Sequence, residues 1–467
     1  PHSAPATTLG PGASVAGLTA TTRAARSAQV ARLTTRVGSA VAANRAQRLF
    51  ASAPRRARLD AELELRTAGQ VAEALGSMKG AMMKLGQMVS YLDDGVPEPV
   101  RQALSSLQQD APPMSADLAA GVVEEELGLA PDKAFAEWDP VPIAAASIGQ
   151  VHRAITTDGR AVAVKVQYPG VAAAIGADLD NTALVGSVLG MLFPGLEPGP
   201  LVAELRARLT EELDYRLEAL NQTMFAEFFA GHPFVHVPAV VEPLSTTRVL
   251  TTELAVGARF DEVVGWPAEE RNLAAEAVFR FVFRSLYRLQ AFNGDPHPGN
   301  YLFRPGGQVT FLDFGLVKRF TADEVLVFQA MIRTMVLDHD PEAFRRVVED
   351  AGVLQPGAPL TTEEAVPWFS HFYEFVQRDE AVTITPEYAS ATVRRTFDRS
   401  SPVTRYTSVP SAFVLIQRIN LGLYAILGRL GATANWRRVA EELWPMTNGP
   451  PSTAMGEKEA AWLARRR

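Results

Sequence analysis

Apolar residues recur at three- and four-residue steps over 60–92, where Leu75, Met78, Met82, Leu85, Val89 and Leu92 form one stripe that predicts a helix. Lys84 and Gln87 fall together on another face of it, one turn apart. Gly76, Gly80 and Gly86 each weaken that helix by ~1 kcal/mol relative to Ala, so close approach to a neighbouring backbone is expected there. A helix and a turn follow over 97–113, and an S-x-D start at Ser115 opens another helix to Leu127. The period then shortens. Two strands flank a tight loop of small residues over 142–154, Asp158-Gly159 signals a hairpin, and 161–166 is a third strand with Lys165 near its end. Residues 199–229 read as one long helix; straight geometry sets Glu211, Asp214 and Glu218 on one face and turns Glu212 away. Two strands over 237–254, an amphipathic helix over 268–292 and a strand at 309–312 come next. Beyond Phe320 the pattern is helical: Thr321 with Glu324 forms a capping box and Asp340-Pro341 starts a further helix. A Pro/Gly-rich break at 448–456 precedes a short basic tail. This order predicts an α+β chain.

Composition narrows the partners. A chain of 467 residues suggests two to four structural units. The net charge of −7 conceals nine arginines and no acidic residue before Asp60, against 36 basic and 52 acidic residues in the remainder. Such an arm resembles an Arg-rich transit segment, a basic stretch on anionic lipid, or a solvated extension. Ala- and Arg-heavy usage along the whole chain resembles that of a GC-rich bacterial genome and weighs against the first. An acidic body, with no aromatics among the arginines, argues against nucleic acid. Cysteine is absent, which excludes disulfides, thiolate metal sites and cysteine nucleophiles. No window is long and apolar enough to span a bilayer: 410–432 holds Arg418, Asn420 and Arg429, and 182–193 is only about half the needed length. The expectation is a soluble or membrane-peripheral protein.

The chemistry concentrates at 295–315, read as D-P-H-P-G-N, a strand, and D-F-G. Phosphoryl transfer needs a carboxylate to orient the acceptor and oxygen ligands to hold Mg²⁺ on the nucleotide phosphates. Asp295 followed by Asn300 and Asp313 supplies those parts in the order protein kinases use. D-F-G alone arises by chance; the upstream D-x-x-x-x-N makes the functional reading the stronger one. Lys165, ending a strand after a small-residue turn, stands where a kinase lysine meets nucleotide phosphates, and Glu218 is the candidate anionic partner. Glu253, Leu254 and Ala255 would form the hinge that meets adenine. His297 reads as structural, because oxygen ligands suit Mg²⁺ better.

Together these residues resemble the UbiB (AarF) family of atypical kinases over roughly residues 70–429. K-L-G-Q at Lys84 to Gln87, the A-A-A-S stretch Ala144, Ala145, Ala146 and Ser147 in place of a Gly-rich loop, and E-L-D at Glu212 to Asp214 carry the likeness. The resemblance implies a two-lobed protein-kinase-like fold with an N-terminal helical extension and a helical C-terminal region. It makes Lys165 and Glu218 the phosphate-positioning pair, Asp295 the catalytic carboxylate, Asn300 and Asp313 the Mg²⁺ ligands, and ATP the nucleotide over the Ala-rich loop. Lys84 and Gln87 belong to an inhibitory helix over the active site, engaged by Glu212 and Asp214. The spacing of those two acids implies a bend or helix junction. Many family members carry His-Ala where this chain has Asn293-Gly294, which bears on the loop's local orientation.

By the same resemblance the protein is a membrane-stimulated ATPase more than a protein kinase, supporting isoprenoid-quinone biosynthesis or lipid homeostasis. Its partners would be an anionic membrane surface and quinone-biosynthesis proteins or quinone-like lipids, on the inner, cytoplasmic face of a bacterial membrane. The expected divisions are a basic arm at 1–59, a helical extension at 60–130, an N-lobe at 131–255, a C-lobe at 256–447 and a tail at 448–467. Two rivals stand beside this reading. D-x-H-x-x-N also resembles the catalytic loop of small-molecule kinases of the aminoglycoside or choline type, and a nucleotide-binding scaffold without turnover would share the fold.

Overall fold

A computed structural model describes residues 114–146, 148–172, 210–294, 296–396, 398, 400–408, 411–447 and 449–466, all within one compact unit. Lys84, Gln87, Ser147, Asp295 and the basic arm lie outside the described residues.

The first described helix, α1 (Ala116–Leu127), starts where the Ser115 hydroxyl accepts from the Leu118 N–H and stops at Gly128, in the left-handed region at φ 70°. A single turn, α2 (Pro131–Ala134), leads into β1 (Phe135–Trp138), β2 (Ala144–Ala146), β3 (Gly149–Thr156) and β4 (Ala161–Gln167). With β6 (Val249–Glu253) they form an antiparallel sheet in the order β1-β3-β4-β6, β2 adding to β3. Val162, Val164 and Val166 point to one face, where Val122 and Val123 of α1 close a small core. Of the helices expected over 60–130, this one packs on the N-lobe sheet.

Three sequence expectations give way here. Ala144, Ala145 and Ala146 are strand residues paired with Val151, Gln150 and Gly149, and not a loop. None of these three alanines has a positive φ, so the left-handed strain that their Cβ atoms would bring does not arise. The helix expected over 199–229 is broken: after Leu213 the chain is extended at Asp214 (φ −115°), whose carboxylate accepts from the Arg216 N–H and caps α3 (Tyr215–Phe228). Asp competes for backbone N–H groups and favours such caps over helix interiors. The strand expected first within 237–254 is reduced to one bridge between Val240 and Thr252.

The second sheet runs β5-β10-β9-β7, from β5 (Val235–His236), β7 (Ala258–Arg259), β9 (Tyr301–Arg304) and β10 (Gln308–Phe311). Its β9–β10 hairpin turns through Gly306 and Gly307, both at positive φ. After the short α4 (Phe260–Val263) comes α5 (Ala268–Arg284), the axis of the C-lobe core. It ends eight residues before the expected 292, passing into a wide i→i+5 turn at Ser285–Leu289 and then β8 (Ala291–Asn293), which pairs with β11 (Val317–Arg319). The remainder is helical as expected: α6 (Ala322–Ile332) with its Thr321–Glu324 capping box, α7 (Pro341–Asp350), α8 (Thr362–Ser370), α9 (Pro386–Thr396), α10 (Ser411–Leu430) and α11 (Trp436–Leu443). Two strands intervene, β12 (Val382–Thr383) and β13 (Thr433–Ala434). Where a tail was expected, α12 (Ala454–Ala464) packs into the lobe through Met455, Glu459 and Trp462. Among the described residues, no helix is long and apolar enough to cross a membrane.

Candidate functional site

Alternation along β4 sends Val164 and Val166 into the N-lobe core and Lys165 to the opposite face. There its Nζ donates to both Glu218 carboxylate oxygens, at 2.8 and 2.9 Å, and stands 3.6 Å from Asp313 Oδ2. The Tyr215 ring lies beneath it, 5.0 Å from ammonium to centroid. Burial alone would lower the Lys165 pKa, but Asp313 and Glu218 outweigh it and hold the ammonium well above its ordinary value. Two carboxylates share this one cation. The deeper, Glu218, is pushed by burial up to about 7, with Lys165 opposing the rise and Asp313 adding to it.

Asp313 follows β10 and is fixed by its neighbours. Its Oδ1 accepts from the Gly315 N–H at 2.9 Å, and the Asn293 side-chain amide donates to its carbonyl. Phe314 is fully buried against Phe225 of α3, and Asn221 of α3 donates to the Phe314 carbonyl at 3.2 Å. Glu218 and the D-F-G turn are thereby held by one helix. Asn300, half-buried, is tied to the same strand because the Leu312 N–H donates to its carbonyl at 2.9 Å. Pro296 packs against α10 where Gly422 leaves room; a Cβ there would lie 2.1 Å from Pro296 Cγ. His297 caps its own turn, its Nδ1 accepting from the Gly299 N–H at 3.0 Å.

The structure thus gathers Lys165, Glu218 and Asp313 side by side and links Asn300 to Asp313 through backbone. It sets Ala144 and Ala145, both exposed, on the hairpin strand beside β3. Glu253 ends β6 and Ala255 lies in the segment that leaves the N-lobe sheet, where Leu254 N–H donates to the Ala161 carbonyl. Asp214 serves as helix cap and Glu212 is half-buried beside it. Asp295, Ser147, Lys84 and Gln87 fall outside the described residues. Sequence reasoning passed over Tyr215, Asn221 and Gly149, and met Asn293 only as a departure from the family's pattern. Only Gly149 carried a signal, a glycine opening a strand: its absent Cβ would sit 2.2 Å from the Val166 carbonyl oxygen. Asp313 and Asn300 offer hard oxygen donors on adjoining backbone, a set that fits Mg²⁺.

A family model described as "ABC1 atypical kinase-like domain" matches residues 106–347. Atypical kinase COQ8B, mitochondrial, of Rattus norvegicus is 38% identical over 255 residues, covering 54% of this chain and 48% of that protein. Atypical kinase coq-8, mitochondrial, of Caenorhabditis elegans is 31% identical over 379 residues, 79% of this chain and 49% of that protein. The chain spans about half the length of these curated relatives. A solved structure of the Rv3197–erythromycin complex from Mycobacterium tuberculosis superposes with a TM-score of 0.63 at 33% identity, covering 84% of this chain and 99% of that one. The arrangement of β4, α3 and the D-F-G turn is that of a kinase cleft, and the chain belongs to the UbiB (AarF, ABC1) family of atypical kinases.

Proposed function

We propose that this protein is a Mg-ATP-dependent ATPase and phosphotransferase of the UbiB type. The observation that carries the reading is the Lys165 ammonium held between Glu218 and Asp313. Such a pair presents one fixed cation to nucleotide phosphates while Glu218 stops the lysine from turning away. Asn300 and Asp313 would hold Mg²⁺, which neutralises phosphate charge when bound. Asp295 would orient the acceptor, Glu253 to Ala255 would meet adenine, and the Ala-rich strand with Ser147 would stand in for a Gly-rich loop. Lys84 and Gln87, engaged with Glu212 and Asp214, would restrain transfer to protein acceptors. The names of the COQ8 relatives support a role in quinone biosynthesis, at a membrane surface reached through the basic arm. The reported erythromycin complex of the mycobacterial relative favours a second reading, a small-molecule ligand or acceptor of macrolide type.

The test is ATP turnover and nucleotide-induced thermal shift, with and without anionic liposomes and with erythromycin as an added arm. Asp313→Asn is expected to lose both the Mg-nucleotide shift and turnover. Asp295→Asn should keep the shift and lose about 10²–10⁴-fold in turnover. Full ATPase activity in Asp313→Asn would refute the assignment. Phosphorylated erythromycin would establish the second reading.

A further inference from the structure

A cavity in the C-lobe lies apart from the residues that surround Lys165. It is walled by aromatic side chains, among them Phe279, Phe283, Phe328, Phe375 and Trp444, and is partly open to solvent. Packed cores leave few voids larger than a water molecule, and an apolar, aromatic-walled space with a few polar groups is the usual make-up of a small-molecule site. Among the described residues, no charged side chain lines it. Polar side chains do: Tyr287 and Tyr373, Gln417 with Asn420 one turn apart on α10, and Tyr424, whose hydroxyl already donates to the Phe372 carbonyl. The Tyr373 hydroxyl has only the Met331 sulfur at 4.0 Å, and the side chains of Tyr287, Gln417 and Asn420 make no hydrogen bond among the described residues. Polar groups facing an apolar space without protein partners are what a ligand's oxygen or nitrogen would satisfy.

A second observation concerns the backbone. Two wide i→i+5 turns stand at this cavity: Ser285–Leu289, which supplies Leu286 and Tyr287, and Arg333–Leu337, which directly follows Met331 and Ile332 of the wall. Such turns are rare and occur frequently at functional sites. The helix that carries Gln417 and Asn420 also carries Gly422, which touches Pro296 in the loop beside Asp295.

We infer that this cavity is a binding site for a neutral, ring-containing molecule with an apolar body and a hydrogen-bonding oxygen. The rings stack on the Phe and Trp walls, and the amides of Gln417 and Asn420 take the oxygen. A charged ligand would lose its hydration with no counter-charge to meet it. Occupancy bears on α10 and, through Gly422 and Pro296, on the loop of Asp295. This coupling clause rests on the proposed phosphoryl-transfer site; the binding clause does not.

The probes are 2-naphthol, naphthalene and 2-naphthalenesulfonate, measured by calorimetry on the full chain. 2-Naphthol is expected to bind one per chain with Kd on the order of 10–100 μM. Naphthalene should bind about five-fold more weakly for want of the hydrogen bond, and the sulfonate at least about ten-fold more weakly. Ile416→Trp, which fills the cavity, should abolish binding of 2-naphthol. The double variant Gln417→Leu with Asn420→Leu, which keeps the cavity open, should erase the preference for 2-naphthol over naphthalene. Saturating 2-naphthol should change kcat for ATP at least about two-fold in the parent and not in Ile416→Trp. No binding of 2-naphthol, or binding equal to the parent in both variants, overturns the site. Binding with unchanged kcat overturns the coupling. Absence of ATP turnover without any probe counts against the proposed function and leaves the calorimetry to decide the site.

Discussion

Gly422 shows how far one missing methyl can reach. In an exposed helix interior, Gly→Ala stabilises by ~0.5–1 kcal/mol because the glycine chain has more freedom to lose. Gly121 of α1 is such a position, with nothing within 4 Å of the added Cβ. At Gly422 the Cβ would meet Pro296 Cγ at 2.1 Å and Cβ at 2.7 Å, both in a rigid ring. Overpacking of that kind costs about 1–3 kcal/mol and is relieved only by moving α10 or the loop that carries Asp295. Gly422→Ala is therefore expected to lower the urea midpoint and cut ATP turnover by at least about ten-fold, while Gly121→Ala raises the midpoint and leaves turnover alone. A Gly422→Ala protein as stable and active as its parent would show that the contact constrains nothing. At this scale the sequence was most informative about charged motifs. Lys165, Glu218 and Asp313 were named from spacing and stand together. Asn221 and Tyr215 were not, because an amide that bonds a backbone carbonyl and a ring beneath an ammonium leave no periodic trace.

The element on which the site turns is α3, held along its length. Glu218 meets Lys165, Asn221 and Phe225 meet Phe314, and the far end is gripped by α12. Trp462 donates to the Ala230 carbonyl at 3.1 Å, and Arg466 donates to the carbonyls of Glu227, Phe228 and Ala230. A guanidinium there satisfies carbonyls that a helix end leaves unpaired and complements its dipole. The grip is anchored by Glu459, which accepts from Arg280 at 2.9 Å and from Arg284 at 3.0 Å, all three nearly or fully buried. Burial would raise the Glu459 carboxyl, but His232 and the two arginines hold it well below its ordinary value. The sequence reading took this stretch for a basic tail, since a glutamate at the centre of the inward face hides the apolar period. It likewise ran one helix through Asp214, because the cap residue is as polar as the face it interrupts. Glu459→Leu leaves Arg284 buried with no carboxylate and should cost about 3–5 kcal/mol in urea unfolding. Arg284→Met with Glu459→Leu should recover a large part of that loss. Equal losses in the single and double variants would mean that the stranded Arg284 charge is not what destabilises Glu459→Leu.

For the molecule as a whole, order of elements and lobe class were legible because strands with period two lie between long helical runs, and that contrast survives local misreadings. What was not legible is how burial sets the charge state of groups that sequence treats as ordinary. His371 is the clearest case. It is 3% exposed, with Nδ1–H donating to the Trp368 carbonyl at 2.7 Å and Nε2 3.0 Å from the Thr396 hydroxyl. Burial lowers its pKa to about 4, Trp368 opposing and Arg395 adding to the fall. His152 and His232 are lowered by burial as well. For His371 the unfolded chain binds more protons between about 6.5 and 4, and His152 and His232 act in the same direction; the stability these residues contribute is present above 6.5 and is lost as pH falls below it. Glu218 acts in the opposite sense. Its carboxyl is raised to about 7, so the folded chain binds more protons between 4.5 and about 7 and gains stability as pH falls through that range. With three histidines against one carboxyl, the parent should lose stability on acidification from pH 7 to 4.5. His371→Asn keeps a donor for Trp368 and removes the titration. Its stability, read from urea unfolding at pH 7, 5.5 and 4.5, should fall less steeply than the parent's, by up to about 3 kcal/mol over the window. Glu218→Gln removes the opposing contribution and should fall more steeply between pH 7 and 5. If both variants run parallel to the parent, these buried groups do not titrate with folding, and the acid sensitivity must come from the surface charge alone.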